Sequence, residues 1–260
     1  VVHPNVVQIY DVIEADDGTP ALVMERLSGE SLETKLRREG KLGLGETIAI
    51  MLRVVSAVGT AHQHGVVHRD LKPDNIYLSE TPEGVEVKVL DFGIAKIEKT
   101  GDGAATGGLT TTGTMLGTPF YMSPEQAFGE KRIDHRSDIW SLGIVLYRCL
   151  SGQLPTQADN LGQILKLIMT RAIPKLSAVT PELPAAVTEL VEHMLAYEPS
   201  ARPADLREVK ARLSALHDLE VNDFGPAAVA PGSFEHRFEH SLGPAVAEDR
   251  KSARLNSSHA

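Results

Sequence analysis

Apolar residues follow two rhythms along this chain, strand-like near the start and helical through most of the rest. Residues 6–14 and 21–25 are rich in Val, Ile and Leu. Asp16, Asp17, Gly18 and Thr19 between them are turn formers, so the two stretches are expected to pair as a β-hairpin. Residues 31–39 predict a short polar helix. Across residues 46–64, Ile48, Leu52, Val55, Val58 and Ala61 recur at helical spacing and predict a longer one. Short strands are expected at 66–67 and 85–90. Residues 138–150 are apolar nearly all round (Ile139, Trp140, Leu142, Ile144, Val145, Leu146, Leu150), the pattern of a helix buried through the middle of a domain. Helical periodicity returns at 161–171, 185–196 and 206–216. Two strands followed mainly by helices make an α+β chain, a small β part on a helical body.

The periodicity fails in two places. From 97 to 115 the composition collapses to Gly, Thr and Ala, and so long a stretch inside a compact domain is expected to be functional or disordered. It stops again after Asp218, where residues 225–232 read as a Pro/Gly/Ala linker. The closing run, Asp249-Arg250-Lys251-Ser252-Ala253-Arg254-Leu255-Asn256-Ser257-Ser258-His259, resembles a translated sequencing-library adapter with one altered codon at Ala253. It is expected to be foreign to the natural protein.

With 260 residues, 42% of them apolar and 23% charged, the chain can bury a full core in one or two domains. A net charge of −9 without any basic run argues against a nucleic-acid partner. The single cysteine, Cys149, excludes an internal disulfide and reads as a small core residue in a reducing compartment. No apolar run is expected to reach the ~18–20 residues that cross a bilayer, and the ordered part is expected in the cytoplasm. The ten histidines include no H-E-x-x-H or Cys/His ligand spacing, so no zinc site is expected; His62 and His64 read as complements to a helix dipole.

Two strings carry the chemistry. His68-Arg69-Asp70-Leu71-Lys72-Pro73-Asp74-Asn75 is followed, after residues 76–90, by Asp91-Phe92-Gly93. A lone Asp in a loop is most often a turn former; the ordered set is another matter. It matches H-R-D-L-x-x-x-N and D-F-G, and by these residues the chain resembles a eukaryotic-like Ser/Thr protein kinase of the type common in bacteria. Gly117-Thr118-Pro119-Phe120-Tyr121-Met122-Ser123-Pro124-Glu125 resembles the segment closing that family's activation loop, with Ser123 where the signature has Ala. Gly101-Asp102-Gly103-Ala104-Ala105-Thr106 falls one glycine short of a phosphate-covering loop and lies downstream of Asp91, where none belongs.

The resemblance implies a kinase-like fold and transfer of the ATP γ-phosphate to Ser or Thr hydroxyls of proteins, with Mg²⁺, or Mn²⁺ in its place. By the same resemblance Asp70 is the base that accepts the hydroxyl proton, Lys72 offsets charge on the moving phosphate, and Asn75 and Asp91 hold the metal. Thr118 is implied to hydrogen-bond Asp70 and Lys72. Met24 matches the gatekeeper, the backbones of Glu25 and Leu27 face the adenine edge, and Tyr77 floors the pocket. Arg69 is implied to grip a phosphate in the activation loop, with Thr110 and Thr112 the favoured sites. Glu125 is implied to pair with a buried Arg202, and Asp138 to brace the catalytic loop. The alternative from another class is a pseudokinase, a binding scaffold without chemistry; the presence of Asp70, Lys72, Asn75 and Asp91 argues against it.

His3-Pro4-Asn5 resembles the turn entering the fourth strand of the kinase small lobe. That implies three strands, the glycine loop, the ATP-pairing Lys and the helix with its Glu partner upstream of this sequence. Residues 1–28 are then a small-lobe remnant and hinge, 29–219 the helical large lobe, 220–248 a disordered linker and 249–260 the adapter-like run. On its own such a chain is expected to be inactive and, with an uncovered apolar cleft, poorly soluble. Many bacterial relatives continue into a membrane span, so attachment through a further C-terminal region is expected of the full protein.

Overall fold

A computed structural model describes residues 1–14, 18–92 and 119–224. The expectations for Gly93, Thr110, Thr112, Thr118, the stretch 97–115 and the tail after 224 lie outside the described residues. Strand β1 (Ile9–Glu14) pairs antiparallel with β2 (Pro20–Met24), Val12 opposite Leu22. The strand starts at Ile9 because residues 5–7 are taken up elsewhere. The Asn5 carbonyl accepts from the Val89 amide at 2.8 Å, the Val7 amide donates to the Val89 carbonyl at 3.0 Å, and Val6 bridges Val89 in parallel. Tyr10, Val12, Ile13, Leu22 and Val23 are left exposed on the hairpin.

A second sheet has the antiparallel order β3 (Gly29–Ser31), β4 (Ile76–Thr81), β5 (Gly84–Val89). Neither β3 nor β4 was expected. Ser79, Glu80 and Thr81 mask the strand signal of β4, although Ile76 and Leu78 are buried in it. At Gly29 (φ 124°) an added Cβ would stand 2.2 Å from the Leu78 carbonyl oxygen, so only glycine lets β3 close on β4.

The helices are α1 (Leu32–Glu39), α2 (Leu44–Gln63), α3 (Pro124–Ala127), α4 (Arg136–Ser151), α5 (Leu161–Met169), α6 (Leu176–Val179), α7 (Ala185–Met194) and α8 (Leu206–Phe224). Ser31 caps α1, its hydroxyl accepting from the Thr34 amide at 3.2 Å. Helix α2 is, against expectation, long and apolar enough to cross a bilayer by length and composition. It is nonetheless a core helix: Ile48, Met51, Val54, Val55 and Val58 are buried, and it packs on α8 and β5. The expected strand at 66–67 is absent, because the Val66 amide turns back to the Ala61 carbonyl at 3.0 Å in closing α2.

Helix α4 is the axis of the body. From Ile139 to Leu150 every residue but Arg148 is buried, and each fully buried Leu or Ile there stabilises the fold by ~1.5–3 kcal/mol. Gly143 lets α7 approach: a Cβ would meet Leu195 Cδ2 at 2.9 Å and Met194 Cβ at 3.1 Å. Helix α6 was not anticipated, and α8 runs past Asp218, so a boundary at 219 falls inside it.

Candidate active site

The loop after α2 is held from below by one carboxylate. Asp138, fully buried in the first turn of α4, accepts the His68 amide on Oδ2 and the Arg69 amide on Oδ1, both at 2.8 Å. Those bonds hold Arg69 at φ 66°, a conformation costly for a non-glycine residue. His62 adds a third contact, Nε2 to Asp138 Oδ2 at 2.7 Å. Its assignment to a helix dipole is therefore corrected: the side chain is turned into the body. His64 does meet the helix end, its Nδ1 lying 2.8 Å from the Thr60 carbonyl oxygen.

The two strings are clasped through main chain. The Leu90 amide donates to the Asn75 carbonyl at 2.9 Å, and His68 Nε2 lies 2.8 Å from the Leu90 carbonyl oxygen. A carbonyl only accepts, so Nε2 carries the proton and Nδ1 is free to accept the Asp70 amide at 3.4 Å. Burial pushes the His68 pKa below the ordinary imidazole value, outweighing the opposing charge of Asp138. The imidazole packs on Phe92 at 4.8 Å between centroids. Asp91 thus follows a residue bonded to both ends of the loop 68–75; it sits exposed at φ 49°.

Within the loop, Lys72 Nζ donates to Asp70 Oδ2 at 3.0 Å. Asn75 is buried, and its Nδ2 donates to the Asp70 carbonyl at 2.8 Å and to Oδ2 at 3.3 Å. That leaves Asn75 Oδ1 and the Asp91 carboxylate without a hydrogen bond or ion pair among the described residues. Two hard oxygens, only one of them charged, fit a divalent ion that takes its remaining ligands from phosphates and water, the habit of Mg²⁺.

Beside the sheet, Glu25 follows β2. Its amide donates to the Gln8 carbonyl at 2.9 Å, and its Oε1 accepts the Gln8 amide at 2.8 Å and lies 3.2 Å from Lys88 Nζ. Tyr77 is half-buried on β4, its hydroxyl donating to the Gly29 carbonyl at 2.8 Å, just beyond Leu27. Met24 ends β2 with its side chain exposed.

The segment after the loop is anchored three ways. Ser123, the departure from the family signature, is the N-cap of α3 and forms a capping box with Gln126. Gln126 Nε2 then donates to the Arg69 carbonyl at 2.9 Å, a link no motif reading found, although the S-x-x-Q spacing was there to see. Glu125 is joined to Arg202 by paired bonds of 2.7 and 2.8 Å, both side chains buried. Arg148 of α4 binds Glu33 of α1 and the Tyr121 hydroxyl. Burial opposes charge on Glu33 and Arg148, yet their pairing wins: the carboxyl is held below, and the guanidinium above, its ordinary pKa.

The family model for the protein kinase domain matches residues 1–213. Serine/threonine-protein kinase pkn3 of Myxococcus xanthus is 40% identical over 218 residues, spanning 82% of this chain and 39% of that protein. PknB of Mycolicibacterium smegmatis is 36% identical over 229 residues, 85% of this chain and 35% of its own. PrkC of Bacillus subtilis is 34% identical over 218 residues, 84% and 32%. The chain therefore spans between about a third and two fifths of these relatives' lengths. The loop braced by Asp138, its clasp to Leu90 and the Glu125–Arg202 pair all fall inside the matched span, and the chain belongs to the protein kinase family.

Proposed function

We propose that the protein to which this chain belongs transfers the γ-phosphate of ATP to Ser or Thr hydroxyls of proteins, with Asp70, Lys72, Asn75 and Asp91 as the working side chains. The observation that carries this reading is the split use of the Asn75 amide. Its nitrogen is spent on Asp70, its side-chain oxygen is left without a partner among the described residues, and its main-chain carbonyl accepts from Leu90, the residue before an unpaired Asp91. Asn75 Oδ1 and the Asp91 carboxylate would hold Mg²⁺, or Mn²⁺, which would supply positive charge to offset that of the phosphates. Asp70 aims the acceptor hydroxyl and takes its proton. Lys72, 3.0 Å from Asp70, orients that carboxylate and offsets charge as phosphate arrives. The Glu25 and Leu27 main chain and the Tyr77 ring supply the adenine side. Lys72-Pro73 and Thr118-Pro119 favour Ser/Thr over Tyr acceptors.

Arg69 is exposed and serves as the phosphate grip for Thr110 or Thr112, which makes loop phosphorylation the activating step. The surrounding cell compartment is cytoplasm, with membrane attachment through regions outside this chain.

The test is radiolabel transfer from γ-labelled ATP with Mg²⁺ to a generic protein acceptor, using the gene extended upstream. Asp70→Asn is expected to lower the rate ~10²–10⁴-fold while leaving nucleotide binding in place, and Asp91→Asn to weaken ATP–Mg²⁺ binding itself. Nucleotide binding without transfer in the unsubstituted protein would sink the enzyme reading and leave the scaffold.

A further inference from the structure

The peptide joining Arg69 to Asp70 is the last link before the carboxylate assigned the acceptor proton, and it is held unevenly. On its amide side, the Asp70 N–H reaches only His68 Nδ1, at a long 3.4 Å. Its carbonyl, that of Arg69, accepts from Gln126 Nε2 at 2.9 Å and from no other donor among the described residues. Arg69 enters this peptide at φ 66°, with its own amide fixed by Asp138 at 2.8 Å. A non-glycine residue keeps such a conformation only where the surrounding chain imposes it. Asp138 ties one side of the residue and Gln126 the other.

Gln126 is itself aimed by Ser123. The Ser123 amide and hydroxyl donate to Gln126 Oε1 at 3.0 and 3.1 Å. Two donors mark that atom as the oxygen, so the nitrogen faces Arg69. A flipped amide would set N–H against N–H at Ser123 and oxygen against oxygen at Arg69. Ser123 is fully buried, and Glu125 beside Gln126 is locked to Arg202. The amide is thus delivered to the loop 68–75 by a turn seated in the helical body. Its bond to Arg69 is open to solvent, so water can take the place of the donor. Water would satisfy the carbonyl without fixing its direction.

We propose that Gln126 is a positioning residue for phosphoryl transfer. By holding the Arg69 carbonyl it fixes the peptide that aims Asp70, so the chemical step runs at full rate only while α3 is seated against the loop. The inference rests on the kinase reading above and adds to it a residue that touches neither nucleotide nor acceptor.

Two substitutions separate the aim from the cap. Gln126→Glu keeps an oxygen for the Ser123 amide and hydroxyl and loses only the donor to Arg69; Gln126→Met loses both. In the protein extended upstream, both are expected to lower kcat for transfer from ATP–Mg²⁺ on the order of tenfold, as loss of aim at one reacting group does. KM for ATP and for the acceptor should stay within about twofold of the parent. Thermal melts should part the two variants, with Gln126→Glu like the parent and Gln126→Met lower for want of the cap.

Arg69–Asp70 is the only Arg-Asp pair in the 260 residues, so carbonyl-¹³C arginine combined with ¹⁵N aspartate labels this one peptide. In the 260-residue protein its single carbonyl–nitrogen cross-peak is expected to shift and broaden in both variants, as the peptide samples a second orientation. Unchanged kcat in Gln126→Glu, a rate loss confined to Gln126→Met, or a cross-peak at its parent position in Gln126→Glu would each overturn the inference and leave the kinase reading standing. No transfer by the unsubstituted protein would sink that reading, and the inference with it.

Discussion

Arg202 offers the sharpest test of how the activation-segment end is held. All five of its N–H bonds are used: Nε to the Ala196 carbonyl, Nη1 to Glu125 and the Arg136 carbonyl, Nη2 to Glu125 and the Tyr197 carbonyl, at 2.7 to 3.0 Å. The side chain has no exposed surface, and Glu125 keeps only 5% of its own. Breaking a buried pair by removing one partner costs ~3–5 kcal/mol, but the two single changes are not equivalent. Arg202→Met leaves Glu125 a buried anion with no other hydrogen-bond donor among the described residues, and strips three carbonyls of a partner. Glu125→Gln leaves a cation that still has those three carbonyls and the Trp140 ring 5.2 Å away. Arg202→Met should therefore lose the upper part of that range and Glu125→Gln the lower. In a domain of ~200 residues, 4 kcal/mol is a fall in Tm on the order of 10 °C.

Urea unfolding followed by circular dichroism measures the size, and a double variant tests its cause. The pair Glu125→Leu with Arg202→Met should be less damaging than Arg202→Met alone, because the stranded charge goes too. Losses below ~1 kcal/mol for both single variants, or a larger loss for Glu125→Gln, would refute the account of the pair as a buried, fully bonded ion pair.

Two further outcomes follow from the buried titratable groups. Burial holds His68 below its unfolded pKa of 6.5, so its contribution to stability is complete above that value and is lost as pH falls through the folded pKa; His3, lowered by burial and Lys210, adds in the same direction. Urea midpoints between pH 7.5 and 5 should fall less steeply in His68→Gln, and an unchanged slope would contradict the His68–Leu90 bond. Cys149, fully buried, has its thiol pushed up to about 12 by that burial, so a disulfide-exchange reagent should label native protein at least ~10³-fold more slowly than urea-unfolded protein; stoichiometric labelling of native protein within minutes would contradict the packing of α4.

What could be read from the sequence was whatever is written locally. The apolar periodicity of 46–64 and 138–150 became α2 and α4 because a helix buried on most sides needs little from its neighbours to declare itself. The hairpin was legible from turn residues between two β-branched stretches. Strand β4 was not, since Ser79, Glu80 and Thr81 make sense only once β5 lies alongside. Helix α2 shows the opposite failure: its composition alone cannot distinguish a membrane span from a core helix, and its contacts with α8 and β5 decide the matter.

The site divides the same way, and the division has a physical cause. Motif residues such as Asp70, Lys72 and Asn75 lie within one loop, so their spacing already implies that they meet. Residues that hold the loop lie far off in sequence: Gln126 and Asp138 reach it across 57 to 70 positions, and His62 backs Asp138 across 76. Asp138 was found only through the family resemblance, and His62 and Gln126 not at all. Yet those three explain the strain at Arg69. Its amide is tied to Asp138 and its carbonyl to Gln126, so both sides of the residue are fixed before its φ is chosen. Only a loop fixed at both ends can hold Arg69 in a left-handed turn, and that turn sets the chain direction into Asp70. The geometry of the Asp70 carboxylate is thus set from α4 and α3, by residues outside the loop itself.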